Sequence, residues 1–589
     1  MVKSPALTGT NQTPMHNSLS SSQTIRFGAF ELDLRARELR KQGTRIRLQE
    51  QPFQILAMLL EHPGEVVTRE ELRSRLWPSD TFVDFDHGLN KAINKLREAL
   101  EDSVETPHLV KTLAKRGYQF IGDLKRSPGR IESLLVLPLE NLSGDPEQEY
   151  FADGLTEALV TKLAKISALR VLSRTTAMHY KGVRKPLPEI ARELQIEGIV
   201  EGTVLRSEER VRICAQLIHA PTDTHLWAES YERDMRNILA LQSEVAQAIA
   251  REVQVKLTPQ EQARLVEMHP VDPEAYEAYL KGRYHWNKRN TEDFPKAVKY
   301  FQQAIAQDPN YAIAYAGLAD SLSIIGFWCL VPPDEGCGRA KGLALKAVEM
   351  DPSLAEAHVS LAWSTMLYDY DFSTAKKEFE MAIQLNPRFA LAHQWFGFYL
   401  ATMGHYEEGY AELKRAIHLD PCSSIIHWTS GFVYWRARQF DRAIEQHEKA
   451  LELNLHSAQW HWGLGVACLD KCLHERAIAA LQTADNLSPS VPIIIGYLGA
   501  AHAAAGHLDA AQKMLEQLNE LSKQRRVTSY VAGRICAALG KKDEAIRWLE
   551  IAYRQRDPWM LLLKTETGFD DLRSEPRFQE LMRRMNFPS

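Results

Sequence analysis

The hydrophobic rhythm of the chain changes three times. Between residues 25 and 48 apolar and polar positions alternate around a turn at Gln42-Gly43, which predicts short antiparallel strands. The period then lengthens. PFQILAMLLEHPGEVV reads as a helix opened by Pro52 and closed at Pro63-Gly64. TREELRSRLW begins with Thr68 and carries Glu71 three residues on, a capping box. In FDHGLNKAINKLREALED, residues 85–102, Leu89, Ile93, Leu96 and Leu100 fall on one helical stripe that must be buried. His87, Lys91, Asn94, Lys95 and Glu98 occupy the opposite face, with Asn90 and Arg97 on the flank. HLVKTLAKRGYQFIGDL returns to alternation around the basic tip AKRG and predicts a hairpin.

From Ser133 to about Leu257 strand-like and helix-like segments interleave, which predicts an α/β sandwich. LLVLPL is a buried strand and QEYFADGLTEALVTKLAKI an amphipathic helix. GIVEGTVLRSEERVRICAQLIHA is a hairpin turning at residues 207–210, and ILALQSEVAQAIAREVQVKL is a closing helix. Beyond Asp272 the pattern becomes periodic. Gly397, Gly431, Gly465, Gly499 and Gly533 are 34 residues apart, and Ala443, Ala477, Ala511 and Ala545 keep the same step. Dipeptides ending in proline mark the same phase. A 34-residue period with small residues in each helix is the tetratricopeptide signature, an all-α solenoid of about eight helix pairs. Such pairs bury their apolar faces only by stacking, and the stack forms a curved groove that suits a protein or peptide.

Composition constrains the reading further. The chain has 589 residues, 45% hydrophobic and 25% charged, with a formal net charge of −5, so DNA binding has to come from local charge. Seven scattered cysteines suit a reducing compartment. Residues 1–24 lack an apolar signal region and read as a disordered tail. Residues 486–508 carry no formal charge over a bilayer-like length, but they fall in phase with the repeat, so no membrane partner is expected. Over residues 25–125 there are 17 Lys and Arg against 16 Asp and Glu. From Gly88 to Arg97 there are three cations and no carboxylate, and this placement is what a phosphate backbone reads.

Three helices followed by a basic hairpin make a winged helix-turn-helix of α+β class. EVVTREELRSRLWP, LNKAINKLREALED and HLVKTLAKRGYQF, in that order and spacing, resemble the OmpR/PhoB-type DNA-binding domain over about 100 residues. The resemblance implies a third helix in the major groove and a wing at the minor groove of double-stranded DNA. His87, Asn90, Lys91, Asn94 and Lys95 would then meet bases or phosphates, Arg97 a phosphate, and Lys115 and Arg116 would sit at the wing tip. It also implies a homodimer on DNA and RNA polymerase as partners. Family members of the phosphorelay carry a receiver before this domain. Only about 24 residues precede it here, which predicts a one-component regulator.

The polar linker GDLKRSPGRIE stands where CadC-like regulators of similar domain order place a membrane helix, which predicts a cytoplasmic protein. FADGLTEALVTKLAK, IEGIVEGTVLRSEERVRICAQLIHAPTDTHLWAESYERD and ILALQSEVAQAIAREV resemble the TolB-amino-terminal or FlgO-like domain. The expected domains are therefore 25–124, 131–258 and 272–589.

No nucleophile–base pair, phosphate-cradling glycine loop or complete metal set stands out, so no enzyme activity, cofactor or metal is expected. Asp145, Glu147, Glu149, Asp153 and Glu157 read as helix-dipole partners on a wet face rather than as an acid–base or metal site. Cys468, Cys472 and His474 lack a fourth ligand. His358, His393, His427 and His461 recur in phase, either as a pH-sensitive ladder or as packing residues. Trp363, Trp395, Trp428 and Trp462 read as core. The rival to a DNA-binding regulator is a scaffold whose winged helix docks to protein.

Overall fold

The computed structural model describes residues 24–589 apart from 35, 42–43, 77–84, 115, 123, 127–130, 208–209, 254–256, 260, 263–270, 525–526, 586 and 588–589. The expected tail over residues 1–23, the Gln42-Gly43 turn, part of the 207–210 turn and the tip residue Lys115 lie outside the described residues. The chain forms two compact units, Met1–Arg130 and Ile131–Ser589.

In the first unit, strands β1 (Thr24–Phe27), β2 (Phe30–Asp33), β3 (Glu38–Lys41) and β4 (Thr44–Ile46) make an antiparallel meander. Helices α1 (Glu50–Glu61), α2 (Arg69–Leu76) and α3 (Phe85–Leu100) follow, with β5 (Val66–Thr68) between the first two. Strands β6 (Val110–Leu113) and β7 (Gly117–Phe120) form the wing, with β7 also paired to β5. Gly117 is required here, because a Cβ would meet the Val67 carbonyl oxygen at 2.1 Å. The expected linker begins later than its polarity suggests: β8 (Leu124–Arg126) pairs with β1 and closes the first sheet. The capping box is formed, with the Thr68 N–H donating to Glu71 at 2.8 Å and the Glu71 N–H donating to the Thr68 hydroxyl at 3.2 Å.

The second unit opens with a mixed sheet in the order β11-β9-β12-β13-β14. Its members are β9 (Ser133–Val136), β10 (Glu140–Asn141, beside β12), β11 (Arg170–Val171), β12 (Gly198–Ser207), β13 (Arg210–His219) and β14 (Thr224–Asp234). β9 runs parallel to β11 and β12, while β12, β13 and β14 are antiparallel. Helices α4 (Glu149–Ala164) and α7 (Ile238–Glu252) cover one face. α5 (Arg174–His179) and α6 (Leu187–Leu194) cover the other.

Eight helix pairs follow among the described residues, from Pro273–Asn287 with Phe294–Gln307 to Ser529–Ala538 with Lys542–Arg554. The first helix of each central pair is buried almost all round, whereas the second buries one stripe. This asymmetry follows from stacking, since the first helix has neighbours on every side. The periodic glycines stand at close approaches: a Cβ on Gly465 would meet Leu481 at 2.6 Å, and one on Gly431 would meet His447 at 2.7 Å. Ala443, Ala477, Ala511 and Ala545 are fully buried.

In the central pairs the C-terminal segment of the chain packs against the first helices. Trp559, in the 3-10 turn Pro558–Leu562, stacks on Phe327 at 4.5 Å and meets the edges of Trp328 and Trp462. Arg436 donates to the Leu561 carbonyl at 3.1 Å. Trp363, Trp395, Trp428 and Trp462 are core, as their spacing suggested.

Candidate nucleic-acid interface

α3 is held from below by Leu89, Ala92, Ile93, Leu96 and Leu100, all buried. These pack with Ile55, Leu56 and Leu59 of α1 and with Tyr118 and Phe120 of the wing. The opposite face is open: His87, Asn90, Lys91, Asn94 and Glu98 are exposed, and Lys95 is half-buried. The ridge therefore stands on a packed base, which fixes where its donors point.

A polar network pins the start of α3. The Arg69 guanidinium donates to Asp86 at 2.8 Å, to Asn90 Oδ1 at 3.2 Å and to the Tyr118 hydroxyl at 3.2 Å. The Tyr118 hydroxyl also donates to Asn90 Oδ1 at 3.1 Å. With its carbonyl oxygen held by two donors, Asn90 can present only its NH2 group outward. The Lys95 ammonium donates to Gln49 Oε1 at 2.6 Å, so a phosphate would have to compete with that amide. Arg116 is exposed at the wing tip.

One expected contact is overturned. Arg97 does not face a phosphate: it is 6% exposed and donates to the Val110 carbonyl at 2.9 Å and the Thr112 hydroxyl at 2.7 Å. Its position beside the leucine stripe carries it under the wing, where it fastens α3 to β6. The accessible cations of α3 are therefore two rather than three, the exposed Lys91 and the half-buried Lys95. Two positions were missed. Arg69 positions Asn90, and Lys111 stands exposed on β6 near the wing tip. Hairpin alternation could have flagged Lys111, but nothing in the sequence flags Arg69.

The other candidate clusters are tied up internally. Asp153 and Glu157 do not lie on a wet face: Asp153 is 6% exposed against Lys181 and Arg174. Glu157 accepts from Arg283 at 2.8 Å and Asn287 at 3.1 Å, with Arg174 at 3.2 Å. Burial alone would raise its pKa, but the facing guanidiniums outweigh burial and lower it. The recurring histidines join elements rather than merely filling space. His358 meets Glu378 through Nδ1 at 2.6 Å and the Pro352 carbonyl through Nε2 at 2.9 Å, an arrangement that favours the imidazolium. Burial opposes that charge, yet the bond to Glu378 and the Pro352 carbonyl raise its pKa. His393 repeats the pattern with Glu412 and Pro387, and His427 with Gln446 and Pro421. His461 keeps only the carbonyl bond, to Leu455.

Residues 43–120 match the family model for the C-terminal domain of transcriptional regulatory proteins. Residues 279–322 and 431–492 match a tetratricopeptide repeat model. The chain is 39% identical over 236 residues to a protein named putative adenylate cyclase 3 from Rhizobium meliloti, covering 39% of each chain. It is 44% identical over 81 residues to the cholera toxin homolog transcriptional activator of Vibrio parahaemolyticus, covering 14% of this chain and 28% of that one. It is 21% identical over 396 residues to the transcriptional regulator HilA of Salmonella typhimurium, covering 66% of this chain and 69% of the relative. The matched region thus spans well under half the length of the first two. An OmpR/PhoB-type winged helix, a mixed-sheet layer and a tetratricopeptide solenoid follow one another in this chain.

Proposed function

We propose that the chain is a one-component, sequence-specific regulator of transcription that binds double-stranded DNA through α3 and the wing. The observation that carries this is the open polar face of α3, with Lys91 and Asn94 exposed above a fully packed apolar base. A helix of this width fits a major groove. Lysines supply salt-dependent affinity from phosphates, and asparagine amides can read adenine edges. The family match over residues 43–120 and the two relatives named as regulators support the same reading.

In this reading Lys91, Asn94, Lys95, Lys111, Lys115 and Arg116 contact DNA, together with His87 and the Asn90 amide. Arg69 and Arg97 position them. The repeat unit receives a protein or ligand signal, and the mixed-sheet layer is of TolB-amino-terminal or FlgO-like type. RNA polymerase and a second copy on the DNA complete the partners. The proposal places the protein in the cytoplasm, consistent with no described helix being long and apolar enough to cross a membrane. It assigns no catalysis, since the matched models are binding modules. Selection of genomic fragments by the full chain, followed by gel shift, tests it. Enrichment of a shared sequence motif is expected. Binding to no duplex, with capture of protein through α3 instead, would favour the scaffold.

A further inference from the structure

Between the mixed-sheet layer and the first six helix pairs, all within the second unit, lies a cavity of about 590 Å³. Bonds between the layer and the array join its walls. Thr176 donates to Asp420 at 2.9 Å, the Ser173 N–H to the Leu419 carbonyl at 3.3 Å, and Arg388 to the Ser167 carbonyl at 2.6 Å. A volume of this size suits one small molecule rather than a folded or extended chain.

The lining is cationic. Seven Lys and Arg residues face four Asp and Glu residues around the cavity. Glu157 is spent on Arg283, Arg174 and Asn287. Arg289 has no ion-pair or hydrogen-bond partner for its guanidinium among the described residues. It lies 3.5 Å over the Trp286 ring, which Arg283 also covers at 4.5 Å. Three further polar atoms around the same space are buried and unpartnered: Gln394 Oε1 and the indole N–H groups of Trp286 and Trp460. Gln394 and Trp460 are 1% exposed and Trp286 is 5% exposed, so bulk water does not satisfy them. Rings supply the rest of the wall, with Tyr279 and Tyr311 edge to face at 5.5 Å.

A half-buried guanidinium with no paired carboxylate, answered only through space by Asp320 across the same cavity, is costly, as are orphaned donors. We infer that this cavity is a binding site for a small organic anion with a flat apolar body, its charge held by Arg289 and its body lying against Tyr279 and Tyr311. The indole N–H groups would donate to the anion's oxygens. Burial, with Arg283 alongside, pulls the Arg289 pKa down to about 9 against the opposing pull of Asp320.

The test uses the full chain without DNA, so its failure leaves the winged-helix reading standing. Naphthalene-1-carboxylate, its neutral amide and phenyl phosphate are titrated by calorimetry into the wild type, Arg289→Met and Gln394→Leu. At least one of the two anions is expected to bind once per chain, about tenfold or more tighter than the amide. In Arg289→Met that preference is expected to vanish while the melting temperature rises, because a desolvated cation beside Arg283 is gone. Gln394→Leu is expected to keep the preference for anions. Absence of saturable anion binding by the wild type would overturn the inference. So would a preference that survives in Arg289→Met, and so would an Arg289→Met that fails to fold, since Arg289 would then be structural.

Discussion

The winged helix and the repeat unit carry comparable polar side chains but expose them in opposite ways. On α3 Lys91 and the asparagines stand in solvent, Lys95 is half-buried and Arg97 is buried. In the repeat unit Arg436 and Arg534 are buried, and the half-buried Arg283 and Arg289 line a cavity. Arg534 pairs with Glu566 at 3.1 Å, and Glu566 is fully buried beneath the Tyr497 and Tyr530 hydroxyls. A phosphate backbone is met by cations that remain hydrated until they displace counterions. A fixed ligand or a folded-over segment is met by cations already desolvated and oriented. Exposure therefore separates the two kinds of cation better than residue type does.

The largest expected effect lies on the buried side. Glu566→Ala strands Arg534, leaving Asp470 at 3.7 Å as its carboxylate partner among the described residues, and should cost about 3–5 kcal/mol in urea unfolding of the full chain. A loss under 1 kcal/mol would place the C-terminal turn outside the core.

On the exposed side, Lys91→Ala with Lys95→Ala should leave the melting temperature near wild type. It should weaken DNA binding and reduce the salt slope by about one or two units. Wild-type binding across salt would remove α3 from the interface.

Arg97→Ala sharpens the contrast within one helix. It should lower stability by about 1–3 kcal/mol and leave the salt slope unchanged, because the guanidinium serves the wing rather than DNA. A reduced slope with unchanged stability would return Arg97 to the phosphates.

The smallest effect is a pH dependence. The His358 pKa is raised in the folded chain, so its contribution is fully present below its unfolded value, near 6.5, and is lost as pH rises through the folded value. His358→Gln should flatten that decline in chemical denaturation measured from pH 6 to 9. An unchanged profile would mean the ring does not titrate in that window.

Regular repetition was legible in the sequence, and contacts between distant segments were not. The leucine stripe of α3, the Thr68–Glu71 box and the 34-residue glycine step each express one local geometry, and each matches the structure. The alternation around AKRG gave the wing. Strand β14 and helix α5 lay hidden because the first is mostly exposed and the second has only six residues. The burial of Arg97 depends on where the hairpin folds back. The packing of the C-terminal segment against the first helices depends on Trp559 reaching Phe327, 232 positions earlier. Neither follows from a periodic pattern.

Photo-crosslinking asks the central question directly. A benzophenone amino acid placed at Asn94, or at Arg45 on the edge strand β4, is irradiated on a duplex that the full chain has selected from genomic DNA. Crosslinking from position 94 with none from position 45 is the result expected of a recognition helix seated in the groove. Crosslinking from position 45 with none from position 94 would contradict it.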